Sequence, residues 1–260
     1  MLQGRTALVT GSLDGIGFAI ADALAAQGAG VMLNGFGEAA LIAERLAALR
    51  AHGVAAEYHG ADLAKLGDIE ALVAATYHQL GPVDILVNNA VIRHWDSIED
   101  YPVEKWEQAL AVNLTAPFHL MRLTMAGMKQ RGFGRIINLA STYGLRGAAR
   151  RADYCTTKHG LVGLTRVAAL EGLPFNVTAN ALCPGAVDTP NTRRTLATRR
   201  AQSDATEEET MRAFMVGKQP SGRLVTPERV AALAVFLCSE AAGDITGTPI
   251  GVDGGWLAGG

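Results

Sequence analysis

Cysteine is scarce in this chain. Its three residues, Cys155, Cys183 and Cys238, are odd in number and far apart, with neither a CxxC pair nor a zinc-ligand spacing. That pattern argues against a disulfide scaffold or a metal module and for free thiols in a reducing cytosol. Excess charge is also missing: a formal net charge of -2 gives no electrostatic reason to expect a nucleic acid or a membrane surface as partner. Small anionic substrates remain compatible if basic residues gather locally. No apolar run is long enough to span a membrane, and Met1 to Arg5 lead into a strand-like segment without the apolar core of a signal peptide. A soluble, cytoplasmic protein is therefore expected. No repeat, low-complexity stretch or linker divides the chain, so residues 1–260 read as one domain. Few aromatics, 30 glycines and 49% hydrophobic residues suit one large α/β unit with a sizeable core.

The chain begins with a strand, a glycine turn and a helix. Thr6-Ala7-Leu8-Val9-Thr10 reads as a strand buried on both faces, as in a parallel sheet. Gly11-Ser12-Leu13-Asp14-Gly15-Ile16-Gly17 opens a helix whose residues Ile16, Ala19, Ile20, Ala23 and Leu24 form one buried stripe. Such a turn presents free backbone N–H groups and a positive dipole end to a pyrophosphate, although its glycine spacing of 11, 15, 17 is not the commoner G-x-G-x-x-G. The second strand, Val31 to Asn34, ends at Gly35-Phe36-Gly37 without the acid that bonds a ribose 2′-hydroxyl or the arginine that receives a 2′-phosphate. Asn34 can donate and accept there, Phe36 can lie against adenine, and Asp14 would repel an extra phosphate, so NAD is expected over NADP. After a third strand near Ala55–His59 comes Ala61-Asp62-Leu63, where Asp62 either bonds the adenine amino group or caps the helix beginning near Leu66.

The fourth strand, Ile85 to Val87, runs into Asn88-Asn89-Ala90-Val91, polar amides at the edge where doubly wound sheets place ligands. A long helix is predicted from Glu104 to Gln130. Asn113 lies in its apolar middle, either stabilising a kink or relaying protons. The fifth strand, Arg135 to Leu139, ends at Ser141, and the next helix carries Tyr154 and Lys158, four positions apart and so on one face. An ammonium beside a phenol favours the phenolate, so such a pair is either an acid–base catalyst or, as on many helices, a solvated pair on an amphipathic face. A sixth strand, Val177–Leu182, precedes Cys183-Pro184-Gly185-Ala186-Val187-Asp188-Thr189-Pro190. From there to about residue 219 the chain is polar and weakly periodic, as in a lid. Thr226-Pro227-Glu228 caps one more helix, and Thr248–Val252 is a seventh strand.

Thr10-Gly11-x-x-x-Gly15-Ile16-Gly17, Asn88-Asn89-Ala90, Asn113, Ser141, Tyr154-x-x-x-Lys158 and Pro184-Gly185 stand in the order and spacing of the short-chain dehydrogenase/reductase family, and the resemblance spans nearly the whole chain. It implies one Rossmann-like, doubly wound α/β domain with a seven-stranded parallel sheet, a homotetramer or dimer, and a catalytic set of Asn113, Ser141, Tyr154 and Lys158. Tyr154 would exchange the proton and Ser141 would orient the reacting oxygen. Lys158 would bind the nicotinamide ribose, and Asn113 would hold a water joining Lys158 to solvent. The resemblance further puts Leu63, Asn89, Ala90, Pro184, Gly185, Val187 and Thr189 at the cofactor.

Within the family the chain is most similar to bacterial D-3-hydroxybutyrate dehydrogenases, through Asn34-Gly35-Phe36-Gly37, Lys158-His159-Gly160 and the tail from Val252. Its pocket departs from theirs. Arg93 stands for a carboxylate-binding glutamine, Tyr143 for a histidine, Arg151 for a lysine, Ala186 for a tryptophan, and a glutamine of their lid aligns near Arg193; Val91 replaces a glycine. His94 either touches substrate or packs under the lid. Three guanidinium forks and a freed volume at Ala186 point to a hydroxy acid of the 3-hydroxybutyrate type or a larger or more anionic one. Reduction of 3-oxoacyl groups, oxidation of a sugar, polyol or dihydrodiol, and NAD sensing without turnover are the other readings.

Overall fold

The computed structural model describes residues 1–259, in which strand and helix alternate. The strands are β1 (Thr6–Val9), β2 (Gly30–Asn34), β3 (Ala56–His59), β4 (Ile85–Asn88), β5 (Gly134–Leu139), β6 (Val177–Pro184) and β7 (Pro249–Val252). The helices are α1 (Gly15–Ala26), α2 (Ala39–Arg50), α3 (Leu66–Leu80), α4 (Val103–Leu110), α5 (Ala116–Arg131), α6 (Ala152–Gly172), α7 (Pro190–Ala201), α8 (Glu207–Met215) and α9 (Pro227–Cys238). The strands form one parallel sheet in the order β3-β2-β1-β4-β5-β6-β7.

Every residue of β1, β4, β5 and β6 is buried, because helices cover both faces of a parallel sheet. Alternate strand residues serve two cores. Ala7, Val9, Val31, Leu33, Ile85 and Val87 join Ile20 and Leu24 of α1 and Val230 and Leu237 of α9. Leu8, Met32, Leu86 and Ile136 join Leu72 of α3, Leu120 of α5 and Ala168 of α6 on the opposite face. The strand order reverses at β1, which pairs with β2 on one side and β4 on the other, so a crevice opens at their carboxyl ends.

The structure adds detail to two expectations. The long helix over Glu104–Gln130 is two α-helices, α4 and α5, joined by a π-helical turn over Ala111–Thr115. The wide turn carries Asn113, whose amide bonds the chain after β4, in keeping with the kink-stabilising reading. The polar stretch after Thr189, expected as a lid, forms α7 and α8, each started by a threonine. The Thr189 hydroxyl accepts from Thr192 N–H, and Thr206 forms a capping box with Glu209. This excursion is pinned at its neck, where Val187 bridges Val225 and Val225 N–H donates to Ala186 O. Thr226 holds the N-cap position of α9 without a side-chain bond, and Pro227 takes the first turn. Among the described residues no helix is long and apolar enough to cross a membrane.

Candidate active site

At the crevice the ends of β1 and β4 are stitched together. The Thr10 hydroxyl accepts from Asn89 and Ala90 N–H at 3.0 and 3.2 Å, and Asn89 Nδ2 donates to Gly11 O at 2.7 Å and Thr10 O at 3.1 Å. Asn89 thus shapes the turn with its whole amide nitrogen. Gly11 has φ +59°, and a Cβ there would meet Ala90 Cα at 2.8 Å. A Cβ on Gly17 would overlap Gly11 O and Asn89 Nδ2. Asp14 stands at the N-cap of α1 with no side-chain cap bond, so the first N–H groups of the helix face the crevice unclaimed by a side chain. A bare helix terminus over a glycine cradle fits the pyrophosphate of a dinucleotide.

The adenosine side differs from expectation at two residues. Asn34 is 1% exposed, and its Nδ2 donates to His59 O at 3.0 Å and Ala61 O at 3.1 Å. Its amide nitrogen is therefore tied to the β2–β3 edge and holds the rim from below. Asp62 does not cap α3: its Oδ1 accepts from Ala64 N–H at 3.0 Å, and Lys65 holds the N-cap position. Phe36 is 75% exposed, free to cover a flat ring, while Leu63 is buried in the core with Leu8 and Met32. Sequence reasoning overlooked Arg45 of α2, which reaches this loop, donating to Leu13 O at 3.0 Å and lying over the Phe18 ring. Its guanidinium also pairs with Glu44 at 3.1 Å.

Ser141, Tyr154 and Lys158 come from the end of β5 and the first turns of α6, and all three are buried. Ser141 Oγ accepts from Tyr143 N–H at 3.2 Å. Lys158 Nζ donates to Leu139 O at 2.5 Å and lies 5.7 Å from the centre of the Tyr154 ring. Burial, reinforced by the positive charge of Arg93, brings the Lys158 ammonium down to about 7. Asn113 Oδ1 accepts from Ile92 N–H at 2.9 Å and its Nδ2 donates to Ile92 O at 2.8 Å. The amide thus stitches the π turn to the chain after β4, with a longer contact to Thr157 at 3.4 Å. Asp153, which sequence reasoning passed over, completes the stitching. Buried in the first turn of α6, it accepts from His94 N–H at 3.0 Å and from Tyr154 N–H at 2.5 Å. An acid directly before Tyr154 was the available signal.

Of the three arginines, two converge. The guanidinium carbons of Arg93 and Arg151 lie 5.4 and 5.6 Å from the centre of the Tyr154 ring. Arg151 stacks on Trp95 at 3.9 Å and sits 5.6 Å from Tyr143, whose ring meets Tyr154 edge-on. Arg193 does not join them. It is forked to Asp188 at 2.7 and 2.6 Å, with its side chain 66% exposed, because the α7 turn sets that carboxylate within reach. His94 packs edge-on against Tyr101 and lies 3.8 Å from Asp96.

On its other side Tyr143 meets Trp256 edge-on at 5.3 Å. A cavity of about 990 Å³ follows, lined by Met211, Met215, Val216, Lys218, Gln219 and Trp256 among others. Gln219 is buried; its Oε1 accepts from Ala186 N–H and its Nε2 donates to Arg223 O at 2.6 Å, tying the end of the excursion to the Pro184-Gly185 turn. Gly185 is required there, since a Cβ would stand 2.7 Å from Gln219 Oε1. Val187 is buried at the neck and Thr189 caps α7.

The fold, the glycine cradle and the serine, tyrosine and lysine at one sheet edge define a nicotinamide-dependent oxidoreductase, and comparison with known proteins agrees. A family model described as Enoyl-(Acyl carrier protein) reductase matches residues 11–257. The D-beta-hydroxybutyrate dehydrogenase of Cupriavidus necator is 48% identical, over 99% of this chain and 100% of its own; that of Rhizobium meliloti is 41% identical, over 98% and 99%. A crystal structure of a single-substitution variant of actinorhodin polyketide ketoreductase with NADPH superposes with a TM-score of 0.90 at 35% identity, covering 98% of this chain and 99% of that one. The chain belongs to the short-chain dehydrogenase/reductase family and is an oxidoreductase of the alcohol dehydrogenase type acting on a small molecule.

Proposed function

We propose that this protein is an NAD-dependent dehydrogenase that interconverts a hydroxy acid of the 3-hydroxybutyrate type with its keto acid. The observation that carries this reading is the setting of Tyr154: a buried phenol on a sheet edge, with Lys158 beneath it and two guanidinium groups beside it. An acid–base group next to fixed cations suits an alcohol that carries a carboxylate. The names of the two hydroxybutyrate dehydrogenase relatives support the same substrate type.

A bound nicotinamide supplies or accepts the hydride. Tyr154 takes the proton of the substrate hydroxyl during oxidation, as the carbinol C–H leaves as hydride, and returns it during reduction. Ser141 donates to the reacting oxygen and orients it. Lys158 holds the nicotinamide ribose and, when protonated, stabilises the phenolate. Asn113 keeps the chain after β4 in register beneath the ring and lines the water path to Lys158. Gly11, Asp14, Gly15, Ile16 and Gly17 cradle the pyrophosphate, with Leu13, Phe36, Asp62 and Leu63 around the adenosine. Ala90, Pro184, Gly185, Val187 and Thr189 border the nicotinamide. NAD rather than NADP is supported by Asp14 at the open helix end and by the engagement of Arg45 with Leu13 O and Glu44.

The chain acts in the cytoplasm, where its three thiols stay free. It works as a homotetramer or dimer, a reading supported by uncovered apolar side chains on and after the α5 and α6 helices: Phe118, Val167, Leu170 and Phe175. The deciding assay follows NADH formation with 3-hydroxybutyrate, a polyol and a 3-hydroxyacyl thioester, each with NAD and with NADP. Preference for the acid with NAD supports the proposal. Preference for the thioester with NADP would replace it with the ketoacyl reductase reading, which the ketoreductase neighbour keeps open.

A further inference from the structure

Among the described residues, Arg93 and Arg151 lie beside Tyr154 with no carboxylate on either guanidinium, and Lys218 on the cavity wall has none. The nearby acids are engaged elsewhere. Both oxygens of Asp153 accept from backbone N–H groups, Asp96 faces His94 and Arg150, and Asp188 is forked to Arg193. Arg151 Nη1 is shut off from solvent, with no hydrogen-bond partner among the described residues. An unpaired cation withdrawn from water is costly, and the Arg151 guanidinium in that state, with the exposed Arg93 guanidinium near the same ring, leaves room for an anion from outside. Burial above all lowers the Arg151 guanidinium and the Lys218 ammonium, with Arg93 adding to the first shift and Arg199 and Arg151 to the second.

One monocarboxylate supplies one fork's worth of oxygens, and a guanidinium binds a carboxylate best two-point. Resting on the hydroxy-acid reading above, we propose that the substrate binds as a dianion, a secondary alcohol flanked by two carboxylate groups. Arg151, held rigid on Trp95, takes one carboxylate, and Arg93 takes the other. The Tyr154 ring centre is within 5.6 Å of both guanidinium carbons, so its hydroxyl can serve an alcohol whose carboxylates they hold. The cavity lined by Lys218 and Trp256 gives the longer acid room.

The test compares kcat/KM for 3-hydroxyglutarate, its monomethyl ester and 3-hydroxybutyrate, with NAD, in the full chain and in Arg93→Gln and Arg151→Gln. The diacid and its monoester have the same length and differ by one charge. The proposal predicts a preference for the diacid of roughly 10- to 100-fold, the factor expected of one charge-assisted contact. Arg93→Gln should bring that ratio towards one, and Arg151→Gln should weaken every acid. If the monoester or 3-hydroxybutyrate equals or exceeds the diacid in the unaltered protein, the dianion proposal is wrong while the hydroxy-acid reading stands. If none of the three is oxidised, both fall.

Discussion

Replacing Lys158 with methionine separates what this residue does for catalysis from what it costs the fold. Its ammonium is 2% exposed, has one carbonyl partner and faces the charge of Arg93. An amine that titrates at about 7 in the folded protein and near 10.4 in the open chain destabilises the fold by about 4 kcal/mol at pH 7 and about 2 kcal/mol at pH 9. The sign follows from the direction of the shift. The folded value is depressed, so the penalty is full below about 7 and fades as pH rises towards the open-chain value. Methionine fills a similar volume without a charge. It leaves Leu139 O without its Nζ donor, a loss of about 1–3 kcal/mol. Lys158→Met is therefore expected to be at least as stable as the parent at pH 7 and to lose about 2 kcal/mol of that relative advantage by pH 9. Parallel thermal melts of the cofactor-free proteins measure this, because other titrations cancel in the difference. A melting difference that is constant between pH 7 and pH 9, or that moves the other way, would refute the reasoning.

Asn113→Ala strips both backbone groups of Ile92 of their amide partner and should cost about 2–4 kcal/mol, read as a lowered melting temperature together with reduced turnover. Gly17→Ala puts a methyl against Gly11 O and Asn89 Nδ2, so the dissociation constant for NADH, measured by fluorescence, should rise at least roughly tenfold. Arg193→Gln breaks only an exposed fork with Asp188. Its effect on KM for the hydroxy acid should stay below about twofold, whereas Arg151→Gln should raise KM by about tenfold or more.

The sheet and its crevice were legible because they follow from local pattern. Buried strands such as Leu8-Val9 and Ile85-Leu86-Val87, each followed by glycines or amides, announce a βα repeat, and Ser141, Tyr154 and Lys158 take their places from strand and helix ends. The π turn was hidden, because one wide turn shifts the apolar stripe of Leu110, Leu114 and Phe118 too little to break a helical reading. The helices α7 and α8 were equally obscure, since surface segments of this kind bury few side chains and leave little periodicity. Most elusive were the commitments of polar side chains. Asn34 is bound by His59 O and Ala61 O, and Arg193 is held by Asp188 in a turn not foreseen. Arg45 crosses from α2 to the loop at Leu13. Such partners are set by how distant elements pack, which spacing along a chain does not encode.

The role of Tyr154 is tested most directly by its phenylalanine variant, which keeps the ring against Tyr143 and the arginines and loses only the hydroxyl. NADH binding by Tyr154→Phe should stay within about threefold of the parent. Turnover of the preferred hydroxy acid should fall by roughly 10²–10⁴-fold, the range of a lost acid–base group. Turnover within about tenfold of the parent, with binding intact, would contradict the account.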